Sequence, residues 1–365
     1  MRRYLTLLFI LLFLITGCRK DELSHEHFHL QTQLRDAYVK SGPQTTGVLK
    51  WGLTTNAKIN SSPAVDGHTV VFVNTNGIVY ALNSNNGSKV WYSAKKIPAN
   101  VDNASVEIER NLVFVAGDNG VLYALNLATG NINWEFHTDN KIVSTPLFTR
   151  YYVIVSSVDG NIYFLNLKNG ALIHKISANV PFQSSPTLYE GRIFIGGLDG
   201  KVYAYSSDSR NLLWTFKSKD SILAKPIVND EKVFIGSLDN NFYCLNASTG
   251  HVLWSKKLKG LVKSTAAISK NAVYVADGSG YVYAFSLNGT LLWQYKTNGA
   301  VLSSPALVND TLYITSADGF IYSLRASNGK LIWKYGVGTA IYSSPVVNNG
   351  IVYFGAENGK FYAIR

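Results

Sequence analysis

The chain is short of cysteine, methionine and charge. Of its 365 residues, 2 are Cys, 1 is Met and 16% are Asp, Glu, Lys or Arg. Two cysteines exclude a disulfide framework, and no Cys/His group has the spacing of a zinc site. Scarce methionine beside 22 Tyr argues against a helical bundle and for strands, where aromatic and β-branched side chains pack well. The apolar run Tyr4 to Ile15 falls short of the roughly 20 residues that a membrane-spanning helix needs. Hydrophobic residues still make up 47% of the chain, which excludes wholesale disorder.

What is present begins with an address. Arg2 and Arg3 precede the apolar run, and Thr16-Gly17-Cys18 follows it, the pattern of a secretory signal. Leu14-Ile15-Thr16-Gly17-Cys18 resembles a bacterial lipobox, which implies removal of residues 1–17 and acylation of Cys18. Loss of Arg2 and Arg3 takes the net charge from +11 to +9. Arg19-Lys20-Asp21-Glu22 resembles the charged tetrapeptide of lipoproteins exported to the outer face of the outer membrane, so the periplasmic side and the cell surface both stay open. Residues 18–46 read as a lipidated N-terminus and polar tether. His25, His27 and His29 alternate within it, but beside a lipid anchor and without a periodic core they read as solvated rather than as a metal site. Leu30, Leu34 and Tyr38 allow one short amphipathic helix.

Repeats fill the rest. Tyr80, Tyr123, Tyr163, Tyr203, Tyr243, Tyr283, Tyr322 and Tyr362 recur at intervals of 39 to 43 residues. Each follows a turn such as Asn76-Gly77, Asp159-Gly160 or Asp318-Gly319, and Asn-Gly or Asp-Gly between alternating apolar runs is the strongest short hairpin signal. All 7 tryptophans stand at a second fixed place, as Trp51, Trp91, Trp134, Trp214, Trp254, Trp293 and Trp333, with His174 in that place in the third repeat. Four short strands per period of about 40 residues is the signature of a propeller blade. One four-stranded sheet cannot bury both its faces, so the blades must stack and the repeated Tyr and Trp become core between them.

The count closes a ring. The last repeat stops after its third strand, and the missing fourth stands at the other end as Gly47-Val48-Leu49-Lys50-Trp51. The expectation is one all-β domain over 47–365, an eight-bladed propeller of four-stranded antiparallel blades with the N-terminal strand completing the last. Tyr-Ala-Leu-Asn-x-x-x-Gly-x-x-x-Trp, as in Tyr80–Trp91 and Tyr123–Trp134, resembles the repeat of quinoprotein-type (PQQ-like) β-propellers throughout 47–365. The departures are local: Arg210 stands in place of Gly, His174 in place of Trp, and Asn in place of the more familiar Asp after Leu.

The family divides into quinoprotein dehydrogenases and non-catalytic scaffolds. The former, by resemblance, are longer and carry a quinone pocket, a vicinal disulfide and a calcium site. Cys18 and Cys244 cannot form a vicinal pair, and Cys244 occupies a buried small-residue place in a third strand. The repeats are nearly equal in length, with three extra residues only at about 94–103. Asp159, Asp199, Asp239 and Asp318 share one turn position, where Asp accepts local backbone hydrogen bonds. No nucleophile elbow, phosphate loop or metal-spaced His pair breaks the pattern. No enzyme activity, cofactor or metal is expected.

Binding remains. Ser61-Ser62, Ser144-Thr145, Ser184-Ser185, Ser264-Thr265, Ser303-Ser304 and Ser343-Ser344 open the innermost strands, as a ring of hydroxyls on the channel or as small residues that fit where eight strands converge. Lys225 interrupts that ring, and Asn60, Gln183, Lys263 and Tyr342 vary just before it. Lys225, Lys263 and Tyr342 are therefore the candidate channel-mouth binding residues. The basic balance favours anionic partners but not nucleic acid, because the lysines are dispersed and the address is extracytoplasmic. An anchored, insertion-free ring of this type is similar to the lipoprotein component of the outer-membrane barrel-assembly machinery. That resemblance implies a monomeric, non-enzymatic envelope scaffold that binds a protein through its rim loops. A surface lipoprotein binding a glycan at the channel mouth, and a small quinone-binding redox or sensor protein, are the alternatives.

Overall fold

The computed structural model describes residues 45–93, 95–97 and 106–365. The signal, Cys18, residues 18–44 of the tether and most of the 94–103 insertion lie outside them. Among the described residues thirty-two strands form eight four-stranded antiparallel sheets, and no residue is helical.

Blade 1 runs from the channel outward as Ala64–Asp66, Thr69–Val73, Val79–Asn83 and Lys89–Tyr92. Blades 2 to 7 repeat this order over 106–137, 147–177, 187–217, 227–257, 267–296 and 306–336. Blade 8 takes Val346–Asn348, Ile351–Gly355 and Lys360–Ile364 from one end of the chain and Leu49–Thr54 from the other. Trp51 pairs with Ala363 and Leu53 with Phe361, so the N-terminal strand closes the ring as expected.

No blade has a core of its own. The buried apolar residues fall into eight clusters, and each joins two neighbouring blades; Val71 and Val73 of blade 1 pack with Val113 and Val115 of blade 2, for example. Second and third strands are covered on both faces, which is why their sequences are nearly continuous runs of Val, Ile, Phe, Tyr and Ala. Outermost strands such as Leu212–Lys217 instead alternate exposed and half-buried positions, the mark of a strand covered on one side.

Every outermost strand carries a bulge just before its aromatic residue. In blade 4, Tyr205 pairs with Leu212 and Ala204 with Trp214, so Leu213 is the extra residue. A bulge re-aims the side chain that follows it. Here it lays the indole across the next blade, on the glycine of the turn between that blade's third and fourth strands. A Cβ on Gly250 would lie 2.4 Å from the Trp214 ring, and one on Gly170 2.4 Å from Trp134. The same contact recurs for Trp51 on Gly87, Trp91 on Gly130, Trp254 on Gly289, Trp293 on Gly329 and Trp333 on Gly47. The indole N–H then donates to a carbonyl of the neighbouring turn, 2.7 Å from Trp91 to Leu127 and 3.0 Å from Trp214 to Ala247. The repeated tryptophans thus find their partners in the next blade and not within their own sheet. Trp134 has the contact without the hydrogen bond, and its Nε1 is buried and unpartnered.

His174 and Arg210 turn out to be one departure. By the repeat, positions 174 in blade 3 and 210 in blade 4 are the counterparts of Trp214 and Gly250. Arg210 keeps the left-handed backbone of the glycine, with φ of 60°, at a steric cost that a residue with a Cβ must carry. Its Nε is buried without a hydrogen-bond partner, and the imidazole of His174 stands against Phe164 of its own blade, ring centroids 6.4 Å apart.

Candidate functional site

The turn carboxylates are committed to the fold. Asp159, Asp199, Asp239 and Asp318 each accept a hydrogen bond from the repeated tyrosine of their own blade, at 2.7 or 2.8 Å. Their other oxygens take turn amides, such as Asn161 N–H at 2.9 Å and Asn241 N–H at 2.8 Å. Amides of the incoming loop add Lys219 N–H on Asp239 at 3.0 Å and Asn298 N–H on Asp318 at 2.9 Å. Burial and then the hydrogen bond to Asp push the Tyr163, Tyr203, Tyr243 and Tyr322 phenols well above their ordinary range. Burial alone would raise Asp239, but its donors outweigh it and hold the carboxyl below its usual value. Cys244 is fully buried, and burial pushes its thiol up to about 12, so at neutral pH it is a packing group. No group of three His, Cys, Asp or Glu among the described residues is arranged to hold a metal ion.

Each serine pair divides its labour. The first member is buried and, except for Ser184, serves the backbone of its own blade: Ser61 Oγ donates to Val73 O at 2.8 Å, Ser144 to Ser156 O at 2.8 Å and Ser303 to Thr315 O at 2.9 Å. The second member faces the channel and links blades. Ser185 Oγ accepts from Thr145 N–H at 2.7 Å, Ser304 from Thr265 at 3.1 Å, Ser344 from Ser304 at 2.9 Å and Ser62 from Ser344 at 3.2 Å. Lys225 offers Ser185 no such hydroxyl. Blades 4 and 5 are joined there by Ser184 Oγ on Ala224 O at 2.8 Å and Thr187 Oγ1 on Pro226 O at 2.6 Å.

Where the innermost strands converge they enclose a cavity of about 120 Å³. The structure brings all three sequence-derived candidates, Lys225, Lys263 and Tyr342, into its lining, together with Asn60, Gln183 and the second hydroxyl of the described pairs. Val143, Leu223 and Leu302 supply its apolar wall. Among the described residues that line it none is Asp or Glu, and its two lysines come from adjacent blades 5 and 6. The varied residues stand at the start of each innermost strand, on the face that carries the Asp-Gly turns. Backbone bonds join those turns to the incoming loops, as in Val158 N–H to Lys141 O and Leu238 N–H to Ser221 O, both 3.0 Å.

Sequence reasoning named Asn60 without its bonding state and missed a charged cluster elsewhere on the ring. Asn60 is 7% exposed and its Oδ1 has no hydrogen-bond partner. On the opposite face, Arg192 holds Glu231 at 2.6 Å and Glu190 at 3.1 Å, and its guanidinium is largely covered. No sequence signal marked that cluster, because the turn position of Glu190 varies freely, with Arg110, Arg150, Asp230, Lys270 and Asn309 among its counterparts.

Comparison with known proteins places this geometry. Curated protein sequences contain no match to the chain. Among solved structures, BamB from Moraxella catarrhalis superposes with a TM-score of 0.72 at 20% identity, over 87% of this chain and 98% of that one. The computationally designed Ika8 protein gives 0.75 at 17% identity, over 88% and 99%. Quinohemoprotein alcohol dehydrogenase from Comamonas testosteroni gives 0.77 at 12%, over 91% and 79%. At such identities these likenesses establish the fold, which a designed ring, an enzyme and BamB share. The sequence itself separates them: the family profile described as outer membrane protein assembly factor BamB matches residues 32–108, 100–208, 153–224 and 198–365. With that profile spread over every blade, the chain belongs to the family of the outer membrane protein assembly factor BamB.

Proposed function

We propose that the protein is a non-enzymatic scaffold of the cell envelope that binds a protein partner during outer-membrane protein assembly. The observation that carries this reading is the family match running through the whole ring. The repeats support it physically, because near-equal blades leave no inserted loop to build a catalytic wall and the turn carboxylates are spent on their own tyrosines. Rim loops on a rigid ring suit a binding role, since their side chains vary without disturbing the core. The bulges add half-exposed apolar pairs around the circumference beside those loops, Leu212-Leu213, Val252-Leu253, Leu291-Leu292 and Leu331-Ile332. In this reading Cys18 is acylated, residues 19–46 tether a monomeric ring to the outer membrane, and no cofactor is needed.

Mild crosslinking of the native protein in envelope membranes, followed by pull-down and mass spectrometry, tests the proposal. Recovery of a barrel-assembly protein crosslinked to rim lysines is the expected result. Failure to recover one, with release of the ring by protease from intact cells, would overturn it in favour of an extracellular ligand. Quinone-dependent dye reduction by the purified protein would overturn the non-enzymatic part.

A further inference from the structure

The turn between the third and fourth strands is continuous chain in blades 1 to 7, but in blade 8 its second half is supplied by residues 45–48, which arrive from the tether. Those residues sit in a built socket. Thr45 is buried, its Oγ1 bonds the Tyr313 hydroxyl at 2.8 Å, and the Trp333 indole N–H donates to that Oγ1 at 3.0 Å. Gly47 lies under the Trp333 ring, and Val48 and Arg365 exchange backbone hydrogen bonds at 3.0 and 2.8 Å. The point where the tether joins the ring is therefore fixed at the junction of blades 7 and 8. The surface around it is apolar where the repeat does not ask for it. The residue after the turn's left-handed position is polar in six blades and Ala171 in a seventh, yet in blade 8 it is Val48, 62% exposed. Exposed Leu49 follows it, and exposed Leu331 and Ile332 of blade 7 lead into Trp333. Two apolar pairs thus flank the single Trp333–Gly47 contact. Scattered apolar residues on a surface are ordinary, but four gathered at the point of chain entry mark a docking surface.

We propose that the occupant is the tether itself: residues 30–38 form an amphipathic helix that lays Leu30, Leu34 and Tyr38 on the patch of Val48, Leu49, Leu331 and Ile332. The three tether residues recur every four positions, the spacing of one helical face. Tyr38 stands seven positions before Thr45, a span of at most about 25 Å, and a helix over 30–38 adds about 14 Å. The patch begins within that reach, because Leu331 is two strand residues, about 7 Å, from the indole that holds Thr45. Docking leaves only residues 19–29 between the ring and Cys18. An acylated Cys18 then holds the edge of blades 7 and 8 toward the membrane and turns blades 3 to 6, whose apolar pairs stay exposed, toward a partner. That orientation rests on the anchored reading of Cys18, whereas the docking does not.

The test is mild oxidation of the chain carrying Leu34→Cys and Ile332→Cys, in the lipidated protein and in a Cys18→Ala form expressed without residues 1–17. Cys244 is fully buried and does not compete. The expected result is an internal disulfide in both forms, made about tenfold faster than by Leu34→Cys with Leu172→Cys on blade 3. Adding Leu30→Asp and Tyr38→Asp should slow it about tenfold, since a carboxylate on the apolar stripe opposes docking. In the chain without added cysteines, trypsin should cut after Arg35 about tenfold faster once Val48→Asp and Leu331→Asp are introduced. Equal rates for the two cysteine pairs, no internal disulfide, or cleavage at Arg35 indifferent to the patch would overturn the docking. A disulfide-linked dimer in place of the internal bond would overturn it too, and assign the patch to a second copy of the chain. Flotation of the lipidated form with vesicles reads the anchor separately: an internal disulfide without flotation supports the docking and removes only the membrane orientation. All the substituted ring positions are exposed, and a circular-dichroism melt matching the parent confirms that each variant is folded.

Discussion

Seven junctions of the ring are closed by an indole lying on a glycine, while the junction between blades 3 and 4 is closed by His174 opposite Arg210. The two solutions fill the same space by opposite means. In the first, the glycine is obligatory twice over, because its φ is positive and its missing Cβ makes room for the ring. In the second, an arginine accepts the left-handed backbone and the partner shrinks to fit. The apolar cluster at that junction compensates with Phe164, Phe182, Tyr203 and Tyr205, all buried. A propeller therefore tolerates loss of the repeated aromatic when both sides of the contact change together, which keeps mutational damage local to one interface.

The comparison can be broken most sharply at Trp214. Trp214→Ala removes an indole that touches Gly250 and bonds Ala247 O, and should cost about 3 kcal/mol in chemical denaturation, against about 1 kcal/mol for His174→Ala. Next comes the glycine side. Gly250→Ala places a Cβ 2.4 Å from the Trp214 ring at a φ of +73°, and a loss of about 2 kcal/mol is expected, whereas Arg210→Ala should stay within about 1 kcal/mol. A cycle on the odd junction sharpens the contrast. His174→Trp alone should destabilise by about 1 kcal/mol, since the counterpart position carries Arg210 and not the glycine on which an indole lies elsewhere. Together with Arg210→Gly it should match or exceed the parent, a coupling that would be absent if the two departures were independent. Trp134→Phe should cost less than Trp214→Phe by about 1 kcal/mol, because only Trp214 has a hydrogen bond to lose.

The smallest effect is a control shared by both kinds of junction, the turn clasp. Asp239 titrates lower in the folded ring than in the unfolded chain. Its clasp therefore stabilises above the ordinary carboxylate range and is lost as pH falls through the folded-state value. Asp239→Asn should lower stability at neutral pH and flatten the acid limb of a pH–stability profile, parent and variant converging as pH falls through the folded-state value. An acid limb as steep as the parent's would count against the clasp.

Much of this was legible in the sequence, and the reason is repetition. A 40-residue period marked by Tyr and Trp fixes strand count, blade count and closure, since each hairpin turn is local and the rest follows by stacking. Lys225, Lys263 and Tyr342 emerged as a group for a related reason, because breaks in a ring pattern on convergent strands must lie close in space. What stayed hidden was contact between repeats. His174 and Arg210 read as two unrelated departures because they sit in different units, and their facing appears only when blades stack. The acceptors of the indole N–H groups lie across the same boundary. Parity along a strand also did not say which serine of each pair faces the channel, because both are small, polar and set where the innermost strand begins.

Ring closure bears on how such a chain must be made. Leu49–Thr54 is laid down early, yet its sheet partner among the described residues is Lys360–Ile364. Blades 1 to 7 can stack in order of arrival, each new unit covering the face of the last. The first strand must meanwhile wait with both edges open until residues 360–364 are delivered, a pairing with very high sequence separation and correspondingly slow to form. A chain arrested or clipped before that point keeps most of its stacked core and exposes one unpaired strand. Such a strand is a handle by which proteases and holding chaperones can tell an unfinished ring from a finished one.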